Sequence, residues 1–580
     1  MKTLALCASL LIATANAAAN ATRSSGPFLK SLDSGTGWII GNDLWNITIG
    51  EIYGKSLFYQ GQDLIGNAAG HYSGYGNGPT SQHRIARLIP SIDGETNFVW
   101  TSASVYQNSS EYLDVVFSAI EVDLHWVIYP ELAGAYQYLV NKALPTLAVL
   151  RTLCRLDNTT FTHGRTNAKD DALPPYADIL AATKVQDETW QQADGTYITK
   201  YDWSAFVREI DFHGVYGDSF GSWYIRPGRD YINGDHLKQE LTVHRESATG
   251  DAVELNVIHG SHFQVTSSAT FPVGKTWGPW LWYLNNGSRE DASSRAQQEF
   301  AAWPYTFLNT TGYQSRGRVS GRLVLSDGRP ASGAAVFLGD NQSDVSTLDQ
   351  GTDYYYAGYA DDEGNFNLDN VRTAEYALYA WSNGGDISDV AATFSQNNIV
   401  VGDREALALG DLIWSVKTRE RIFQIGDLDR KALGFHNGGA PRQHGLVAQS
   451  PANLTYIVGE SNASDWYYGQ SALGSWTVLF DLPEASNRSA TLAISLAGYS
   501  KSSDLVISVN GHSVSQLLSA DLLSDPALYR SGTTAGEWHY YELHVDSGVL
   551  QAGLNNVVFQ VTRYTLWRGF LWDSVFLDWN

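Results

Sequence analysis

The sequence predicts an all-β protein made of three sandwich-like units in tandem. Short segments that alternate apolar and polar residues recur along the whole chain, as in Trp45-Asn-Ile-Thr-Ile49, Leu113-Asp-Val-Val-Phe117 and Leu505-Val-Ile-Ser-Val509. A period of two marks strands with one buried face. Gly, Asn and Asp punctuate these segments, and Asn510-Gly511 carries the signal of a two-residue hairpin turn with both φ angles positive. A length of 580 residues suits about three or four domains, and sustained helical periodicity is hard to find.

The chain opens on a leader. Lys2 precedes an apolar run from Leu4 to Ala13, and Ala15-Asn16-Ala17 fits a small-residue cleavage site, so residues 1–17 are expected to be removed as a signal peptide. No later stretch offers the roughly 20 uncharged apolar residues of a membrane helix, and the mature chain is expected to be secreted, extracellular and monomeric. Of the two cysteines, Cys7 leaves with the leader, and Cys154 alone cannot form an internal disulfide. Size, and not cross-linking, has to supply stability. Sequons at Asn20, Asn46, Asn108, Asn158, Asn286, Asn309, Asn341, Asn453, Asn462 and Asn487 fit a secreted glycoprotein.

Residues 18–305 form the first unit, a large β-sandwich rich in aromatic residues. A second begins after WPYTFLNTTGY, where Arg316-Gly-Arg-Val-Ser-Gly-Arg-Leu-Val-Leu325 opens a new strand, and residues 306–412 read as a small sandwich. Within it Asp361, Asp362 and Glu363 lack the full spacing of a calcium loop and read as a hairpin turn. The third unit, residues 413–580, has the strand spacing of a jelly roll, as in Ser475-Trp-Thr-Val-Leu-Phe480 and Asn556-Val-Val-Phe-Gln-Val561. No low-complexity linker separates the units, so they are expected to pack closely.

A formal net charge of −23 makes nucleic acid a poor partner. An acidic polymer would need a local cationic groove. Groups able to supply one, and to do acid–base work, cluster between positions 145 and 265. Arg151 and Arg155 are four apart, hence on one face of a strand, and form a candidate clamp for carboxylates. Lys200, His213, His236, His259 and His262 follow. The bland readings are a solvated arginine face, a surface lysine and core histidines. His236, His259 and His262 could also ligate a metal, but no HExxH or cysteine-containing zinc spacing accompanies them. A glycoside hydrolase would need a carboxylate pair, for which Asp211 and Asp235 are candidates, and a non-catalytic wall-binding protein would need neither. The spacing alone leaves these alternatives open.

Leu150-Arg-Thr-Leu-Cys-Arg-Leu-Asp157, the Lys200–His213 segment and GSWYIRPGRDYINGDHLKQELTVH, ending at His244, resemble the catalytic domain of rhamnogalacturonan lyases of polysaccharide lyase family four. The resemblance runs in order through a fibronectin type III-like domain and a jelly roll resembling carbohydrate-binding modules, so it covers essentially the whole mature chain. It implies Lys200 as base and His262 as acid, with Arg151 and Arg155 binding the substrate carboxylate. His213 matches a further family histidine, and both it and His259 are expected to contact substrate. One departure is that an aromatic-rich lead into the family's acid is here Glu254-Leu-Asn-Val-Ile-His-Gly-Ser-His262, which makes His259 an alternative acid. The implied reaction is endo-acting β-elimination on the rhamnogalacturonan I backbone of pectin. It requires no cofactor for catalysis, because arginines supply the cations, and leaves room for a structural calcium ion.

Overall fold

The computed structural model describes residues 26–33, 35–67, 69–77, 96–264, 270–341, 351–484 and 486–580. The leader, Cys7 and Asn20 lie outside the described residues. The described chain is dominated by antiparallel strands, as the alternation implies, and Asn510 and Gly511 take φ of 48° and 78° between paired strands.

In the first unit a nine-stranded sheet faces a five-stranded one. The five-stranded sheet runs Val243–Arg245, Ala252–His259, Leu147–Leu156, Tyr72–Asn77, Thr96–Asn97. Arg151 pairs with Val257 on one side and Gly74 on the other, Cys154 with Glu254, and Arg155 with Val253. This register sorts the side chains by face. Glu254 accepts hydrogen bonds from Ser222 and Trp282 of the nine-stranded sheet, so Cys154 and Glu254 point between the sheets. Arg151, Leu153 and Arg155 therefore point away from them. Trp45, Trp126 and Trp282 meet within the core at centroid distances of 5.5 to 6.4 Å.

A helix, Arg289–Ala302, covers the outer side of the nine-stranded sheet and starts on Ser288, whose side chain accepts from the Asp291 amide. Its buried positions are Ala292, Ala296 and Glu299. Alanine carries the helical period here, and small side chains leave no apolar stripe in the sequence.

The middle unit packs a three-stranded sheet on a four-stranded one. Asp361 accepts from the amides of Glu363 and Asn365, as a hairpin turn requires. Ile413 and Trp414, expected to open the third unit, instead end a strand of the middle one. They pair with Val324 and Leu325, and Trp414 lies in the middle core. The last unit has two five-stranded sheets around Trp466, Trp476 and Trp572.

The units are joined by dense seams. Asp230 of the first forms ion pairs with Arg316 at 3.0 Å and Arg372 at 2.8 Å of the second, and all three side chains are buried.

Candidate active site

The outward face of the five-stranded sheet carries the arginine pair. Arg155 is only 5% exposed. Its guanidinium forms an ion pair with Glu246 at 2.8 Å, and its Nε donates to the Tyr72 hydroxyl at 3.0 Å. Burial pushes the Glu246 carboxyl up, but His244 and Arg155 outweigh it and hold Glu246 well below the usual carboxylate range. His244 sits 3.9 Å from Glu246. Burial lowers its pKa, with the nearby Lys200 and Arg155 cations acting the same way and Glu246 opposing them. The turn that begins at Lys200 packs on the edge strand Val243–Arg245 of this sheet.

Lys200 follows the Thr189–Gln191 and Tyr197–Thr199 hairpin and begins a 3-10 turn to Trp203, with the Thr199 hydroxyl accepting from the Tyr201 amide. Tyr201 and Trp203 are buried, while Lys200 stays half-buried with Nζ 5.4 Å from the Tyr201 ring. The Tyr201 hydroxyl donates to Asp187 at 2.6 Å.

His262 lies just beyond the Ala252–His259 strand. Gly260, at φ +98°, turns the chain there, and a Cβ on it would meet the Ala148 carbonyl oxygen at 2.2 Å, so only glycine fits. The Ser261 hydroxyl accepts from the amides of Phe263 and Gln264 and fixes the turn. The His262 side chain is 17% exposed, with Nδ1 2.8 Å from Glu240 Oε2. Glu240 pairs in turn with Lys238 at 3.3 Å, and Lys238 donates to Asn233 at 2.8 Å and to the Gly260 carbonyl. Lys238 and Glu240 are fully enclosed, so a buried carboxylate with its own counter-ion orients the ring.

Lys200 and His262 are each followed by an aromatic residue, and those two rings, Tyr201 and Phe263, meet edge to face at 6.1 Å. That contact brings the two segments together. Arg530 of the last unit reinforces it, donating to Asp187 at 2.8 Å and to the His262 carbonyl at 3.0 Å.

The remaining candidates fall elsewhere. His213 is fully buried between the sheets with Nε2 2.6 Å from the Leu255 carbonyl, and burial drives its pKa well below the usual value. The expectation that it contacts substrate is corrected: its ring bridges the two sheets. His259 is 1% exposed and packs edge-on against Phe271 at 4.8 Å. Burial, with Lys238 and Lys275 nearby, drives its pKa well below the usual value, and its enclosure corrects the expected substrate contact here too.

Curated relatives align with about four-fifths of the chain. A rhamnogalacturonate lyase of Dickeya dadantii (strain 3937) is 32% identical over 469 residues, 78% of either chain. The chain belongs to polysaccharide lyase family 4. Rhamnogalacturonate lyase B of Emericella nidulans is 24% identical over 83% of this chain and 82% of its own. Family models for domain II and for the CBM-like domain III of polysaccharide lyase family 4 match residues 326–406 and 421–577.

In this family 4 lyase the carboxylates that a hydrolase would need are otherwise engaged. Asp211 pairs with Arg165 at 2.6 Å, and Asp235 accepts from the Leu237 amide at 2.8 Å. Among the described residues no three His, Cys, Asp or Glu side chains converge on a metal position, and His236 lies 2.7 Å from the Gly358 carbonyl. Sequence reasoning missed His244, Glu246, Glu240, Lys238 and Arg530. Lys238, Glu240 and His244 lie within the resembling motif without standing out there; Glu246 and Arg530 are partners made by the fold.

Proposed function

We propose that the chain is a secreted, monomeric rhamnogalacturonan endolyase that cleaves the rhamnose-(1→4)-galacturonic acid bond of rhamnogalacturonan I without a catalytic metal. The observation that carries this reading is the meeting of the Lys200 and His262 segments beside the outward arginine face. Arg151 faces the C6 carboxylate and counters the charge that develops as C5 loses its proton, while Arg155, enclosed and paired with Glu246, backs that face and, contrary to expectation, does not reach the substrate. Lys200 Nζ takes that proton, the electron pair becomes the C4=C5 double bond, and the C4–O4 bond breaks. His262 protonates the departing oxygen, which leaves with rhamnose. In the galacto ring the axial C5 proton and axial O4 lie on opposite faces, so base and acid from two separate segments suit the geometry.

Incubation with rhamnogalacturonan and with homogalacturonan, followed by ultraviolet absorbance, tests the reading. Unsaturated product from the first substrate alone is expected, falling by about 10²- to 10⁴-fold in Lys200→Ala. New reducing ends without unsaturation would instead mean hydrolysis.

A further inference from the structure

We propose that Arg530, from the C-terminal unit, is a positioning residue that sets the mutual placement of Lys200 and His262. The inference rests on reading Lys200 as base and His262 as acid. It gives the C-terminal unit a part in turnover, beyond any sugar binding of its own.

Two prongs of one guanidinium serve two segments. Nη1 donates to the His262 carbonyl at 3.0 Å and Nη2 to Asp187 at 2.8 Å. Asp187 also accepts from the hydroxyl of Tyr201, the residue after Lys200. The Arg530 guanidinium lies 4.5 Å from the centroid of the Tyr201 ring, so it touches the Lys200 side twice and the His262 side once. The group is well fixed. Burial acts against its charge, but Tyr201, Tyr529 and Asp187 outweigh that and raise its pKa.

The surroundings hold this clamp in place. Ala527 completes a buried cluster with Tyr201 and Phe263, and Arg442 covers the Phe263 ring at 4.6 Å. Gln186 and Gln239 donate across the seam to the Tyr529 and Ala535 carbonyls, both at 2.7 Å. The planar fork of arginine suits this task because it fixes two acceptors in one plane, whereas an ammonium reaches either without fixing their angle. Elimination needs base and acid at set positions about one ring, and a displacement of about 1 Å in such a pair can cost on the order of a hundredfold in rate.

The test uses the full-length chain and a rhamnogalacturonan oligosaccharide of defined length. Arg530→Ala is expected to lower kcat by about 10- to 100-fold while KM stays within about threefold. Arg530→Lys should fall between this variant and the parent. Asp187→Asn should act in the same direction, and the double variant should be no worse than Arg530→Ala within about threefold, because both changes break one unit. Trp567→Leu loosens a different seam contact, the one to Tyr197 at 5.6 Å; it should lower the melting temperature and leave kcat unchanged.

An Arg530→Ala kcat within twofold of the parent overturns the proposal. So does a raised KM at unchanged kcat, which would mean that the guanidinium touches substrate. A Trp567→Leu kcat as low as that of Arg530→Ala overturns it as well, since general loosening would then suffice. An inactive Lys200→Ala beside an active Arg530→Ala leaves the acid–base reading standing, whereas an active Lys200→Ala removes that reading itself.

Discussion

Glu240 fixes which nitrogen of His262 can act. With Nδ1 held by the carboxylate, Nε2 is left to reach a leaving oxygen, and the partner of one ring nitrogen sets the role of the other. Glu240→Gln keeps the shape and removes the carboxylate that holds Nδ1. Turnover is expected to fall about tenfold or more with KM nearly constant, as steady-state kinetics would show. Glu254 behaves differently, because burial pushes its carboxyl up to about 8 against donation from Ser222 and Trp282. The folded chain therefore binds a proton that the unfolded chain releases above its ordinary carboxyl pKa. This contribution is fully present below about pH 4.5 and is lost as pH rises towards 8. Melting temperatures at pH 5 and pH 8 should show the parent losing more stability than Glu254→Gln across that window, by on the order of 5 kcal/mol at most. At this scale the resemblance nominates Lys200 and, across a departing lead, His262. His213 matched equally well, yet a sequence match carries no information on burial, and the fold turned that ring into the interior.

The strand Leu147–Leu156 shows how far periodicity reaches. Its period of two places Arg151 and Arg155 on one face in any sheet, and that much is visible in the sequence. Their inequality is not visible, because Glu246 and Tyr72 arrive from elsewhere in the chain and enclose Arg155. Both substitutions to alanine are expected to impair turnover. Arg155→Ala should in addition destabilise the fold by about 3 kcal/mol, since it takes the arginine partner from the half-buried Glu246 carboxylate. Arg151→Ala, at a half-buried position, should leave the melting temperature within a few degrees. Calorimetry beside kinetics separates the two, and equal melting temperatures would contradict the assignment. The helix Arg289–Ala302 escaped the sequence for a related reason: alanine is compatible with a helix interior and with many other settings, so its spacing announces little.

Across the molecule, stability and activity meet at the seams. Asp230 is buried between Arg316 and Arg372, and although burial pushes its carboxyl up, the two arginines hold it below the usual range. Asp230→Asn leaves two buried cations without their counter-ion and should lower stability by about 3 kcal/mol or more, with the first and middle units losing structure together in a denaturant titration. The order of the units could be read from strand spacing and turn residues. Their mutual embrace could not, since it depends on side chains distant in sequence. Cys154 turns this architecture into a measuring device. Its thiol is fully enclosed between the two sheets of the first unit, and burial, with Glu254 beside it, raises its pKa far above that of a reactive thiolate. In a chain freed of residues 1–17 it is also the sole cysteine. A maleimide can reach it only when the arginine-bearing sheet parts from its partner. At saturating reagent, the labelling rate followed by mass spectrometry should therefore become independent of reagent concentration and equal the opening rate of the first unit, a clock ticking between its two sheets.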